Sequence, residues 1–153
     1  MITFEKNSTI LFLGDGITEQ GMYISYFEAY ITEHFPNMGL KIVNCGKSSE
    51  TASGLSEPDH PRPRPCIHER LDEVLEISNP DITFICYGMN DGIYYPFLED
   101  HFEAYKQGMI KLINKVKSIG SKIVLITPPP FDKITTQIRN NNLLQLGCEN
   151  IVT

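Results

Sequence analysis

A short apolar run that ends at a glycine turn constrains the fold more than any other feature of the sequence. Residues 10–13 are all apolar, and this run is too short for a helix. It stops at Gly14-Asp15-Gly16, and a helical pattern begins near Tyr23. The stretch predicts a buried strand that leads into a tight turn, although a turn without chemistry fits it equally well. Because ligands of parallel α/β sheets lie outside the carboxyl ends of the strands, functional groups are expected at this turn.

Helix-like and strand-like segments alternate along the rest of the chain. Apolar residues recur at helical spacing in three segments, and three further apolar runs have the length of strands. The helical segments are 23–35, 67–75 and 102–116, and the strand-like runs are 40–44, 81–87 and 122–127. Gly120 stands where a left-handed C-cap would end the longest helix. This alternation predicts a three-layer α/β/α sandwich with a flavodoxin-like parallel sheet.

The last stretch of the chain loses this pattern. Residues 133–153 contain an Asn triplet, sustain no period, and barely suffice for one strand and one helix. We therefore expect a single domain, residues 1–153, in which 133–153 is a divergent tail and the sheet lacks its last strand-helix unit. Such a sheet would expose an apolar edge, which favours homo-oligomers.

The composition argues against several classes of partner. The net charge is -6 and no basic cluster occurs, so neither nucleic acid nor an anionic membrane surface is expected as a partner. The sequence contains no apolar run of membrane-spanning length and does not start like a signal peptide, which makes a cytoplasmic location the expectation. The cysteines are scattered, so we expect neither a metal site nor a disulfide framework. No cofactor is expected either.

Polar turns follow three of the predicted strands. They are Gly14-Asp15-Gly16, residues 44–51 and residues 88–91. The carboxyl ends of parallel strands lie at one edge of a sheet, so these turns should face one another across a single crevice.

The three turns resemble the ordered sequence blocks of the SGNH, or GDSL-type, esterases. The matching blocks are Gly-Asp-x-Ile-Thr-Glu, Asn-x-Gly-x-Ser-x-Glu-Thr and Gly-Met-Asn-Asp, and the resemblance extends from about residue 10 to residue 132. The segment that begins at Gly54 also looks like one bacterial subgroup of the family. The resemblance implies an acylhydrolase whose substrate is a small acyl ester, with an acylated sugar such as an acetylated carbohydrate as one candidate.

The resemblance also implies roles for individual residues. The family's nucleophilic serine corresponds to Gly16, which has no hydroxyl. Asn90 matches the side-chain donor of the oxyanion hole, and the backbone N–H of Ser49 stands where most of the family has a glycine N–H. Gly16 retains a backbone N–H for the same hole. Three more residues of the blocks are expected to support the turns, namely Asp15, Gly88 and Asp91. Asp15 is expected to brace its turn rather than act as a base.

The general base of the family has no counterpart in this sequence. The family carries an Asp and a His three residues apart after a fifth strand, whereas no histidine here follows the fourth predicted strand. One hypothesis is an esterase truncated by a frameshift near residue 133 and inactive as written. The alternative is a non-catalytic module that still binds an ester or a sugar. A flavodoxin-like phosphate binder is disfavoured, because the first turn lacks the glycine and hydroxyl density that cradles phosphate.

Further candidates flank the expected crevice, and each has two interpretations. His60 could overhang the crevice, but a loop-bracing role is favoured, and His68 is expected to be solvated or capping. Arg62 and Arg64 could clamp an anionic or sugar substrate, although extension over apolar surface is favoured. Tyr94 could line an acyl or sugar pocket or simply pack. Ser48 and Ser49 are expected to bond their own backbone.

Overall fold

The computed structural model describes residues 3–92 and 97–128. Four parallel strands form one sheet in the order β2-β1-β3-β4, and helices connect them. The strands are β1 (Thr9–Gly14), β2 (Lys41–Gly46), β3 (Ile82–Cys86) and β4 (Lys122–Leu125). The helices are α1 (Gly16–Gln20), α2 (Met22–His34), α3 (Leu71–Ser78) and α4 (Glu99–Ser118), with a 3₁₀ turn at Ile67–Glu69. The predicted α/β fold with a parallel sheet is confirmed.

Both faces of the first strand are buried, which explains its unbroken apolar sequence. Leu11 and Leu13 belong to a core that includes residues of α3 and α4. Ile10 and Phe12 point to the opposite face and pack against residues of α2. Phe12 stacks on Phe84 of β3 with ring centroids 4.7 Å apart. Helices therefore cover both faces of the sheet, as the alternation predicted.

The predicted elements agree with the structure except in the first turn and in the second predicted helix, 67–75, which is a 3₁₀ turn at Ile67–Glu69 followed by α3. The strands and the longest helix lie within a few residues of their expected positions, and Gly120 has the left-handed φ of 84° expected of it. The expected turn before Tyr23, however, contains the short helix α1. Asp15 caps its amino end and Gly21, at φ 72°, separates it from α2. With five residues α1 is too short to show an apolar period, which is why the sequence pattern missed it.

Close packing against α1 requires glycine at two strand ends. A Cβ on Gly46 of β2 would lie 2.1 Å from the backbone nitrogen of Glu19, and a Cβ on Gly14 of β1 would lie 2.0 Å from Oγ1 of Thr18, so both would overlap α1. Only hydrogen at these positions lets the helix lie directly over the carboxyl ends of β1 and β2. The first turn is therefore held to the sheet by backbone contact.

Two expectations from the sequence concern the end of the chain and membrane-spanning helices. The predicted loss of the last strand-helix unit and the divergent tail 133–153 lie outside the described residues. Among the helices of residues 3–92 and 97–128, none has the length and apolar character needed to cross a membrane.

A Gly46→Ala substitution should destabilise the protein, because the new methyl group would overlap the backbone of α1. We expect the free energy of unfolding to fall by about 1–3 kcal/mol in chemical denaturation. Gly16→Ala is the matched control, since a Cβ there meets Ser48 only at ordinary contact distances of 3.5 Å and more. Equal stability of the two variants would contradict this account of the close approach.

Candidate functional site

A cleft of about 210 Å³ lies at the carboxyl ends of β1, β2 and β3. Its walls come from all three polar turns that follow these strands. The lining residues are Asp15, Gly16, Ile17, Gln20, Ser48, Ser49, Met89 and Asn90. The structure thus brings together the three positions expected to form an oxyanion hole, while their roles stay predictions.

The first wall of the cleft is the amino end of α1. Asp15 is buried, and its Oδ1 accepts a hydrogen bond from the backbone nitrogen of Ile17 at 3.0 Å. Burial raises the pKa of the Asp15 carboxyl above its ordinary value. Gly16 follows as the first helical residue, and a side chain on it would point at Ser48, whose Oγ would lie 3.5 Å from the added Cβ. The backbone therefore admits a side chain at Gly16.

The second wall is the turn after β2, which Asn44 ties to α1. Its Nδ2 donates to the carbonyl oxygen of Thr18 at 2.8 Å, and its Oδ1 accepts from the nitrogen of Gly46 at 2.9 Å. Ser49 has a φ of 63°, in the left-handed region that favours glycine. Contrary to expectation, neither Ser48 nor Ser49 forms a side-chain hydrogen bond with another described residue.

The third wall is the turn after β3, where Asn90 is held from two sides. Its Oδ1 accepts from Nη1 of Arg64 at 3.1 Å, and its Nδ2 donates to the backbone carbonyl of Glu50, also at 3.1 Å. Gly88 has a φ of 137°, and its carbonyl accepts from the nitrogen of Gly92 at 3.3 Å. The amide side chain of Asn90 is therefore oriented at the edge of the cleft.

Asp91 braces the loop that follows β2. Its Oδ1 accepts from the backbone nitrogens of Ala52 at 2.9 Å and Ser53 at 2.7 Å. Its Oδ2 is buried and accepts no hydrogen bond from the residues that the structure describes. Burial raises the pKa of this carboxyl from 3.8 to about 6. The loop and the third turn therefore share a carboxyl group that resists ionisation.

A buried ion pair lies behind the cleft, and the sequence patterns did not indicate it. The Glu50 side chain is completely buried, and Arg70 donates to both of its oxygens at 2.7 and 2.6 Å. The Tyr87 hydroxyl donates to the same carboxylate at 2.6 Å, and burial raises the pKa of Tyr87 well above its ordinary value. These residues are 20 and 37 positions from Glu50. No local spacing could have linked them.

The expectation that Arg64 extends over apolar surface was wrong. Arg64 is buried, because its charge is matched by a bidentate pair with Glu57 at 2.6 and 2.7 Å and by the amide oxygen of Asn90. Arg62 lies exposed in the same loop. His60 braces this loop, as favoured, through a contact between its Nδ1 and the carbonyl oxygen of Arg62. Tyr94 lies outside the described residues.

Histidine is absent from the lining of the cleft as far as the structure describes it. His68 is partly buried rather than solvated, because its Nε2 bonds the carbonyl oxygen of Gly108 on α4 at 3.1 Å. Burial lowers the pKa of its imidazole. His34 bonds the carbonyl oxygen of Tyr30, and His101 belongs to α4. Within residues 3–92 and 97–128, no cluster of three or more histidine, cysteine or acidic side chains could hold a metal ion.

Comparison with known proteins finds an esterase that is similar to this chain in sequence and in fold. No family model matches the sequence. A curated acetylxylan esterase from Geobacillus stearothermophilus is 24% identical over 140 residues, which are 78% of this chain and 58% of that protein. The chain therefore spans little more than half the length of this relative.

Two solved structures share this fold. The acetylxylan esterase of Geobacillus stearothermophilus matches with a TM-score of 0.67 and 20% identity, covering 98% of this chain and 75% of that one. A gut microbial diltiazem-metabolizing enzyme matches with a TM-score of 0.72 and 27% identity, covering 99% of this chain and 33% of that one.

Asp91 should make stability depend on pH. Because the folded state raises its pKa from 3.8 to about 6, its contribution to stability is complete below pH 3.8 and is lost as the pH rises past about 6. One pKa unit corresponds to about 1.4 kcal/mol, so the loss is about 3 kcal/mol. An Asp91→Asn variant should lack this pH-dependent contribution to stability. The contribution is measured as the difference in unfolding free energy between variant and wild type across pH 3.5–7. A difference that does not change over this range would refute the assignment.

Proposed function

Because the chain is homologous to the acetylxylan esterase of Geobacillus stearothermophilus, and through it to the SGNH hydrolase family, we propose that its cleft binds the acyl group of a carbohydrate ester. The observation that carries the proposal is the convergence of Gly16, Ser49 and Asn90 on one cleft. Each of these residues has an N–H group, and such groups stabilise an ester carbonyl oxygen or the oxyanion derived from it.

Three donors are available to this oxygen. Among the described residues, no protein acceptor takes the backbone N–H of Gly16 or of Ser49. Asn90 donates one of its two Nδ2 protons to the carbonyl of Glu50, and within residues 3–92 and 97–128 no acceptor takes the second, which can bind a ligand. A carbonyl oxygen in the cleft would receive hydrogen bonds from groups that are already oriented, so binding costs little reorganisation.

We propose that the bound ester is small and acetylated. A volume of about 210 Å³ is below the range of about 300–1,000 Å³ typical of sites for drug-sized ligands, so the cleft suits an acetyl group and the nearest part of its alcohol. The curated relative is named an acetylxylan esterase, which favours a carbohydrate as that alcohol.

The same proposal excludes formation of an acyl-enzyme by this chain. Gly16 occupies the position of the family's attacking serine, and a glycine offers neither hydroxyl nor thiol to the acyl carbon. Loss of such a nucleophile costs about a million-fold in turnover. The cleft is therefore proposed to hold an ester without cleaving it through a covalent intermediate.

Binding is tested by titrating ¹⁵N-labelled protein with acetylated xylo-oligosaccharides and following backbone amide shifts. We expect saturable shifts of the Gly16 and Ser49 amides, because these N–H groups would bond the ligand's carbonyl oxygen. The deacetylated oligosaccharide is the matched control and should leave both amides in place. Absence of shifts with the acetylated ligand, or equal shifts with both ligands, would overturn the proposal.

A Gly16→Ser substitution alone should not create an esterase. The backbone admits the side chain, but no histidine lines the described cleft to accept its proton. We expect stopped-flow assays with p-nitrophenyl acetate to show no burst above the wild-type signal. A burst equal in amount to the protein would show that a base does reach residue 16.

A further inference from the structure

We propose that Arg64 is a positioning residue that sets the orientation of the Asn90 amide. This inference rests on the proposed ester site, since it names what aims one of that site's donors. Arg64 is not among the described residues that line the cleft, but it contacts one of them, Asn90, to whose Oδ1 it donates at 3.1 Å.

Hydrogen-bond chemistry allows the Asn90 amide only one orientation. A guanidinium group only donates, so the atom that faces Arg64 must be the amide oxygen. The backbone carbonyl of Glu50 only accepts, so the atom that faces it must be the amide nitrogen. Rotating the amide by half a turn would oppose donor to donor and acceptor to acceptor. The second N–H of Asn90 is thereby kept for the cleft.

Arg64 is itself held in place by Glu57. Its Nε and Nη2 atoms donate to the two carboxylate oxygens of Glu57 at 2.7 and 2.6 Å. The Arg64 and Glu57 side chains are only 5% and 10% exposed, so solvent screens this pair weakly. Hydrogen bonding from Arg64 lowers the pKa of the Glu57 carboxyl. A bidentate pair fixes the guanidinium plane, which directs Nη1 at Asn90.

This arrangement does more than restrain a side chain. Withdrawal of electron density from the amide oxygen by a cation makes the amide N–H groups better donors. Glu57 and Arg64 both belong to the loop between β2 and the 3₁₀ turn, whereas Asn90 follows β3. Glu57 and Arg64 would therefore tune the strength of the ester site although neither of them lines the cleft.

The test follows the Asn90 side-chain amide by NMR, with its signals assigned through their loss in Asn90→Asp. Arg64→Met removes the donors, and Arg64→Lys retains the charge. The double variant Glu57→Gln/Arg64→Met removes the pair without leaving a buried charge uncompensated, so it should fold even if Arg64→Met does not. Lys106→Gln, which breaks an exposed pair with Glu103, is the matched control.

In wild type and Lys106→Gln the Nδ2 proton that bonds the carbonyl of Glu50 should exchange slowly with solvent. Without Arg64 the amide could rotate away from Glu50, so exchange of this proton should accelerate by between about tenfold and about a hundredfold in Arg64→Met and in the double variant. Arg64→Lys should restore part of the protection against exchange. If Arg64 had a merely structural role, the variants would change the melting temperature alone. Unchanged exchange in the folded double variant would overturn the proposal.

Titration with acetylated xylo-oligosaccharide separates this inference from the proposed function. If wild type binds the ester and the double variant binds it at least about tenfold more weakly, both are supported. Equal binding by wild type and double variant would reject the role of Arg64 and leave the ester site standing. If amide exchange is faster in the double variant but wild type binds no ester, the result would support orientation of Asn90 by Arg64 and reject the ester site.

Discussion

The buried carboxylate of Glu50 is the interaction on which the site depends. A fully buried charge is tolerated only when it is paired and hydrogen-bonded, and Arg70 and Tyr87 supply those partners. These contacts join the loop after β2, the residue before α3 and the end of β3. The backbone carbonyl of Glu50 at the same time holds Asn90. One residue thus links the electrostatics of the interior to the geometry of the cleft.

Much of the fold was predictable because its signals are local. The apolar runs of β1 and β3 reflect burial of a central strand on both faces, and the period of α4 reflects one apolar stripe. Gly120 could be read as a helix terminator because its left-handed conformation disfavours other residues. Helix α1 escaped prediction, since its stability comes from the Asp15 cap and from packing on Gly46 rather than from a repeat within its sequence.

The sequence predicted which turns form the candidate site, but it did not predict the side-chain contacts that hold the site in place. Parallel strands bring their carboxyl ends together, so the turns that carry Gly16, Ser49 and Asn90 could be expected to meet. The environment of Arg64 could not be foreseen. An arginine in a loop without a period looks like a surface residue, and only the folded loop brings Glu57, seven residues away, and Asn90 to it. Side-chain pairs that depend on loop conformation leave no spacing for a sequence pattern to reveal.

Helix α1 is anchored at both ends, by the Asp15 carboxylate at the first turn and by the Asn44 amide at the last. Each anchor comes from a strand or from the residue beside it, so the first wall of the cleft is fixed to β1 and β2. Ligands of different width would then be accommodated at the other two walls, the turns after β2 and β3. Diversification of substrate range would accordingly proceed through exchanges in those turns, while the first wall stays unaltered.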